Sequence, residues 1–187
     1  MANLNLWALP RALDVAGIVC PINADFRDVL EVISYLNADD ADPMESRYVA
    51  LSLFFEDLSA IPQEHYVDAF RAMVEFISLG EDDNSTPRRK LIDWDQDRGI
   101  IAAEVNKVAG QEVRSLEFLH WWTFVGYFNC VGEGQLSTIV SIRDKLQRGK
   151  KLDKWEQTFY KENKKTIDFK SKFTSRDDEI INKFMGW

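Results

Sequence analysis

The chain reads as a mainly α protein: a compact helical domain with a small N-terminal β-hairpin and a charged helical C-terminal arm. Three observations lead there. Apolar residues recur at three- and four-residue intervals in segment after segment, the period of an amphipathic helix. The stretch ALDVAGIVCPI instead reads as two short β-runs around Ala16-Gly17, a hairpin pattern. The run Phe118 to Val131, FLHWWTFVGYFNCV, contains no Lys, Arg, Asp or Glu and predicts a helix buried on all sides. With 14 residues it falls short of the roughly twenty that a membrane span needs. It is expected to be the central helix of a water-soluble core.

Each element has a local cause. Pro21 lacks an amide donor and confines the second β-run to an edge or an end. Asn23 or Asp25 caps a helix carrying Phe26, Val29, Leu30, Ile33 and Leu36 at helical spacing. After a polar break from Asn37 to Pro43, a second helix sets Tyr48, Leu51, Phe54 and Phe55 on one face and stops at Ile61-Pro62. Pro62 opens a third, with Tyr66, Phe70, Met73, Val74 and Ile77, which Gly80 closes. Gly80 to Pro87 is a loop by composition. A helix through Ile101, Val105 and Val108, the apolar helix, and a turn at Gly132 to Gly134 follow. Beyond them the chain is charged and helical, with Leu152, Trp155 and Phe159 at helical spacing and Tyr160 beside them. A last short helix holds Ile180, Ile181 and Phe184, before Trp187. The natural division is a core domain over 1–142 and a basic arm over 143–187, packed on the core or extending from it.

Charge is unevenly spread. Residues 1–100 hold 19 acids and 8 bases, whereas Arg143 to Arg176 holds 12 bases and 5 acids. The overall balance of −8 argues against nucleic acid as the main partner, and the basic stretch reads as a solvated helix face. Cys20 and Cys130 are too far apart in sequence for a zinc or redox pair, and their apolar surroundings predict buried free thiols. The first fifteen residues lack the basic flank and apolar run of a signal peptide, so a reducing cytoplasm is expected.

Candidate chemistry thins out on inspection. From Asp93 the order D-x-D-x-D with Glu104 twelfth imitates a calcium loop. The glycine is one place late, at Gly99, and Arg98 occupies its position, so Asp93, Asp95 and Asp97 read better as helix-start carboxylates. Glu104 then falls on the exposed side of that helix. His120 has no nucleophile motif around it and reads as a hydrogen-bonded core residue. His65 reads as a surface residue at a helix start, and the nine glycines form no phosphate-cradling loop. Trp121 and Trp122 point about 100° apart and can both be buried only in a thick core, the preferred role for them. No catalytic constellation remains, so a non-enzymatic protein without cofactor or metal is expected. The best interface candidates are Leu152, Trp155, Phe159 and Tyr160, on a helix that could dock into another protein's groove.

Three stretches together resemble a family of tail assembly chaperones from long-tailed bacteriophages of Gram-positive bacteria. They are Cys20 to Arg27 (CPINADFR), Leu91 to Val113, and Phe118-Leu119-His120-Trp121-Trp122 with Phe124, followed by Ile142-Arg143 and the Lys-rich helix with Phe159-Tyr160 and Lys164-Lys165. The similarity runs from about Leu9 to Ile167. It implies a late phage protein made beside the tape-measure protein, which coats that long helical chain until tail-tube subunits polymerise around it. It also implies residence in the host bacterial cytoplasm, absence from the finished virion, and no membrane partner. The tail-tube protein and a second copy of the chain are further possible partners. Two alternatives rest on the residues alone: a nucleic-acid-binding regulator using 143–176, and a calcium-binding module at 93–104.

Overall fold

The structure, a computed structural model, describes residues 7–37, 42–80 and 89–170. Among the described residues, seven α-helices follow one antiparallel hairpin. Strands β1 (Ala12–Val15) and β2 (Ile18–Pro21) pair with Leu13 opposite Cys20 and Val15 opposite Ile18. Their two-residue turn holds Ala16 and Gly17 at positive φ, 52° and 86°, the twist a tight hairpin requires. The carboxylate of Asp14 accepts the Gly17 amide at 3.1 Å. Pro21 ends β2, where no ladder donor is needed.

Asp25 is the cap of α1 (Phe26–Leu36), which buries Phe26, Val29 and Val32. Asp42 and Pro43 open α2 (Pro43–Phe54). This helix ends seven residues before the expected stop at Ile61-Pro62. Phe55 turns extended and bridges to Ile22, while Asn23 and Glu56 donate amides to the carbonyls of Phe54 and Pro21. Tyr48, expected inward, is 55% exposed, since only Leu51, Phe54 and Phe55 of that set reach the core. Pro62 leads through a 3₁₀ turn into α3 (Tyr66–Ile77), which buries Ala69, Met73 and Phe76 and leaves Val74 exposed. Gly80 closes it at φ 75°. The rest of the 80–87 loop and the helix with Ile180, Ile181 and Phe184 lie outside the described residues.

The remaining helices are α4 (Arg98–Ala109), α5 (Trp121–Asn129), α6 (Gln135–Gln147) and α7 (Lys154–Ile167), the last kinked at Asn163, whose side chain bonds the Phe159 carbonyl. Most elements share one core, whereas Ile139, Ile142 and Ile167 form a second, smaller one roofed by Leu152, Phe159 and Tyr160. The expected division between 142 and 143 falls inside α6.

The apolar run does not form a helix buried all round. Residues 118–120 are extended, α5 starts at Trp121, and Gly126, Asn129 and Cys130 face outward. Cys20 is buried as expected, but Cys130 is exposed because it sits just past the end of this one-sided helix. The competing structure is a backbone seam. The Phe26 amide donates to the Leu119 carbonyl at 2.9 Å, and the Trp121 amide to the Ala24 carbonyl at 2.8 Å. Between them lies Asp25, 7% exposed, accepting the amides of Arg27 and Leu119 and the Arg27 guanidinium. Burial works to raise its carboxyl pKa, but these donors prevail and hold it below the usual value.

His120 caps α5 from within the core. Its Nδ1 accepts the Trp122 amide at 3.1 Å, so the ring is neutral and Nε2–H faces the Pro10 carbonyl at 3.0 Å. Burial lowers its pKa below 6.5. Trp121 and Trp122 are both buried, and their indole N–H groups donate to the carbonyls of Ile77 and Phe76 at 3.0 and 2.9 Å. The two rings thereby tie α5 to the last turn of α3, where helical carbonyls need outside donors.

A second junction centres on Arg143. Its five N–H bonds go to both carboxylate oxygens of Asp97 and to the carbonyls of Leu91, Thr166 and Ile167, at 2.6–2.9 Å. The two side chains are 2% and 0% exposed. Asp97 is thus an ion-pair partner and makes no side-chain cap on α4. Gln96 reinforces the junction, donating to the carbonyls of Thr166 and Asp168 and accepting the Lys170 amide.

Arg143→Ala leaves Asp97 charged and unpaired in the interior, and should cost about 3–5 kcal/mol in urea unfolding; a loss below about 1 kcal/mol would refute the junction's role. For His120, the folded state binds a proton less tightly than the unfolded chain, so stability is present above pH 6.5 and falls as pH drops below it. The melting temperature of wild type should decline over that range. His120→Asn, which keeps a capping acceptor without titrating, should remove that part of the decline.

Candidate partner-binding surface

The start of α7 is set by a capping box: Asp153 accepts the Glu156 amide at 2.8 Å, and Glu156 accepts the Asp153 amide at 2.9 Å. Glu156 also takes the Lys145 ammonium from α6 and is 5% exposed. The inward face of α7 therefore runs through Glu156, Phe159, Tyr160 and Ile167, one residue out of phase with a stripe drawn through Trp155.

That shift separates the four expected interface residues. Leu152, Phe159 and Tyr160 are half-buried over the α6 core. The Tyr160 hydroxyl donates to Asp168 at 2.8 Å, and Lys164 lies over its ring while pairing with Asp168. The Lys164 ammonium holds the Asp168 carboxyl below the usual range. Only Trp155 projects, 60% exposed and stacked on Phe159 with centroids 5.5 Å apart. Lys151, Lys154 and Lys161 stand exposed around it. The basic stretch is less free than its composition implies, because Arg143, Lys145, Arg148 and Lys164 pair with Asp97, Glu156, Asp144 and Asp168.

A second apolar surface, not read from the sequence, spans α2 and α3. Met44 is 82% exposed, Tyr48 lies one turn further on, and Val67 and Val74 line α3. The rings of Tyr48 and Tyr66 are 6.3 Å apart, and Arg47 covers Phe70 at 5.6 Å, which joins the two helices into one face. The signal was present in the sequence. Both helices carry apolar residues over more than one stripe, and only one stripe can face the core.

The carboxylates of the calcium-like stretch diverge. Asp93 accepts the amides of Asp95 and Gln96 and meets Lys90 at 2.8 Å. Burial acts to raise its pKa, but these contacts hold it below the usual value. Asp95 accepts the Ser34 hydroxyl, and Asp97 takes Arg143. Glu104, expected outside, is 7% exposed, because α4 is covered by α5 and α6. It takes Lys107 at 2.8 Å and the Gln135 amide at the start of α6 at 3.3 Å. Among the described residues, no three His, Cys, Asp or Glu side chains gather as a metal site. His65, half-buried, stands 3.7 Å from Asp68 at the start of α3. Among the same residues no helix is long and apolar enough to cross a membrane.

Substitution should separate surface from support. Trp155→Ala should change unfolding free energy by no more than about 0.5 kcal/mol, whereas Phe159→Ala should cost about 2 kcal/mol or more. Equal losses in chemical denaturation would contradict the outward placement of Trp155.

No curated protein and no solved structure matches the chain. The model of one family, the bacteriophage Gp15 proteins, matches residues 7–169. That span contains both buried junctions and the whole of α7. With nearly all of its described length matched, the chain belongs to the bacteriophage Gp15 protein family.

Proposed function

We propose that this phage protein is a non-enzymatic tail assembly chaperone, which binds the tape-measure protein and keeps it soluble until the tail tube polymerises. The observation that carries the reading is the apolar surface held out on charged helices, with Trp155 at its most prominent point on α7. Buried groups that could serve chemistry are committed to structure: Asp25 and His120 to the seam, Asp97 to Arg143, Glu104 and Glu156 to helix starts. An elongated client with amphipathic helices exposes apolar stripes that aggregate unless covered. A helical protein with apolar faces and a net charge of −8 suits covering them while keeping the complex dispersed. In this reading Trp155 makes the contact, with Leu152, Phe159 and Tyr160 packed beneath it in support. Such a protein acts in the host cytoplasm and is released before the virion is complete.

Co-expression with the tape-measure protein of the same phage tests this reading. The tape measure should stay soluble and co-elute with the chain in size-exclusion chromatography, and should precipitate when the chain is omitted. Trp155→Ala should reduce co-elution at least several-fold without unfolding the chain. A tape measure equally insoluble with and without the chain would overturn the proposal.

A further inference from the structure

The two exposed apolar faces carry opposite charge. Around Met44, Tyr48 and Val67 the exposed acids are Asp42, Glu45, Glu64 and Asp68, against Arg47 and Arg71, and Arg71 already lies 3.4 Å from Asp68. Around Trp155 the exposed bases are Lys151, Lys154 and Lys161, against the exposed acids Asp153 and Glu162, which leaves that face net positive. Within one copy these faces cannot meet. α7 is seated on α6 by the Lys145–Glu156 pair, and its end is held by Arg143 through Thr166 and Ile167. α2 packs on α1 and α3, and α3 on β1. Neither helix is free to swing onto the other.

We propose that the α7 face of one copy docks on the α2–α3 face of a second copy, with Trp155 entering the surface around Tyr48 and lysines meeting the acids beside it. The contact is heterologous: each copy offers a different face, so every pair keeps one face of each kind open. Such contacts build open chains of copies unless the geometry closes them into a ring. Opposite charges speed the encounter and set its orientation, which makes association sensitive to salt. The inference concerns the chain alone and goes beyond the client reading. Where that reading also holds, neighbour and client use Trp155 in turn, and each displaces the other.

Light scattering on the purified full-length chain tests it, with no client present. At about 50 mM salt the mass should rise with concentration, and at about 500 mM it should fall back toward one copy. One variant, Lys154→Glu with Trp155→Ala, disables the α7 face; another, Glu45→Lys with Tyr48→Ala, disables the α2–α3 face. All four residues are exposed, and matching circular dichroism melts establish that the variants fold. Each variant alone should remain at the mass of one copy, because it lacks one half of the contact. An equimolar mixture should recover association but stop at one of each, since the complementary faces are both spent. A wild-type chain of constant single-copy mass at every concentration would overturn the proposal. So would variants that still self-associate alone, the mark of a symmetric contact, or a mixture that forms nothing.

Discussion

Everything in the C-terminal half of the fold depends on one buried cation finding all its partners. A guanidinium has five N–H donors and no acceptor, and moving it out of water is costly unless each donor is met. Arg143 meets that demand by drawing together four separate pieces of chain: Leu91, Asp97, α6 and the end of α7. The same guanidinium holds the end of α7 through the carbonyls of Thr166 and Ile167. Trp155 is exposed because Glu156, its neighbour, is used inward by Lys145 and the capping box.

The N-terminal half depends on a different economy of hydrogen bonds. Residues 24–25 and 119–120 run side by side, and the amides of Phe26 and Trp121, at the helix starts, donate across to the carbonyls of Leu119 and Ala24. Asp25 and His120 then cap α1 and α5 from inside that seam. The words CPINADFR and LHWW, which suggest a family on sequence grounds, are therefore two sides of one structural joint. Leu91 to Val113 and Ile142-Arg143 likewise meet in the Asp97 junction. These stretches report how the domain is held together, and the exposed Trp155 lies outside them.

That surface was only partly legible. Leu152, Trp155, Phe159 and Tyr160 do lie together, but helical spacing alone groups the exposed Trp155 with three residues that pack on the core and gives no sign that Glu156 is buried. Helical phase distinguishes positions 100° apart, but apolar character alone does not say which of two neighbours faces the core. A lone arginine in phase with Leu136 and Ile139 was a clue that an acid had to be buried nearby. Asp97, in phase with Ile101 and Val105, was its counterpart. The α2–α3 face went unread because the apolar residues there seemed assigned to the core.

By itself the sequence determined the class of fold, the hairpin turn at Ala16-Gly17, a helix cap at Asn23 or Asp25, the burial of both adjacent tryptophans and the order of the helices. These follow from local rules: turn geometry, capping chemistry and apolar period act over a few residues. Only the tertiary structure decided where α2 and α5 give way to extended chain, that Asp97 and Glu104 are inside, and that Cys130 and Tyr48 are outside. Those outcomes turn on partners thirty to ninety residues away in the chain. A backbone amide, a carboxylate or an aromatic ring has no preferred side until the group that satisfies it has arrived.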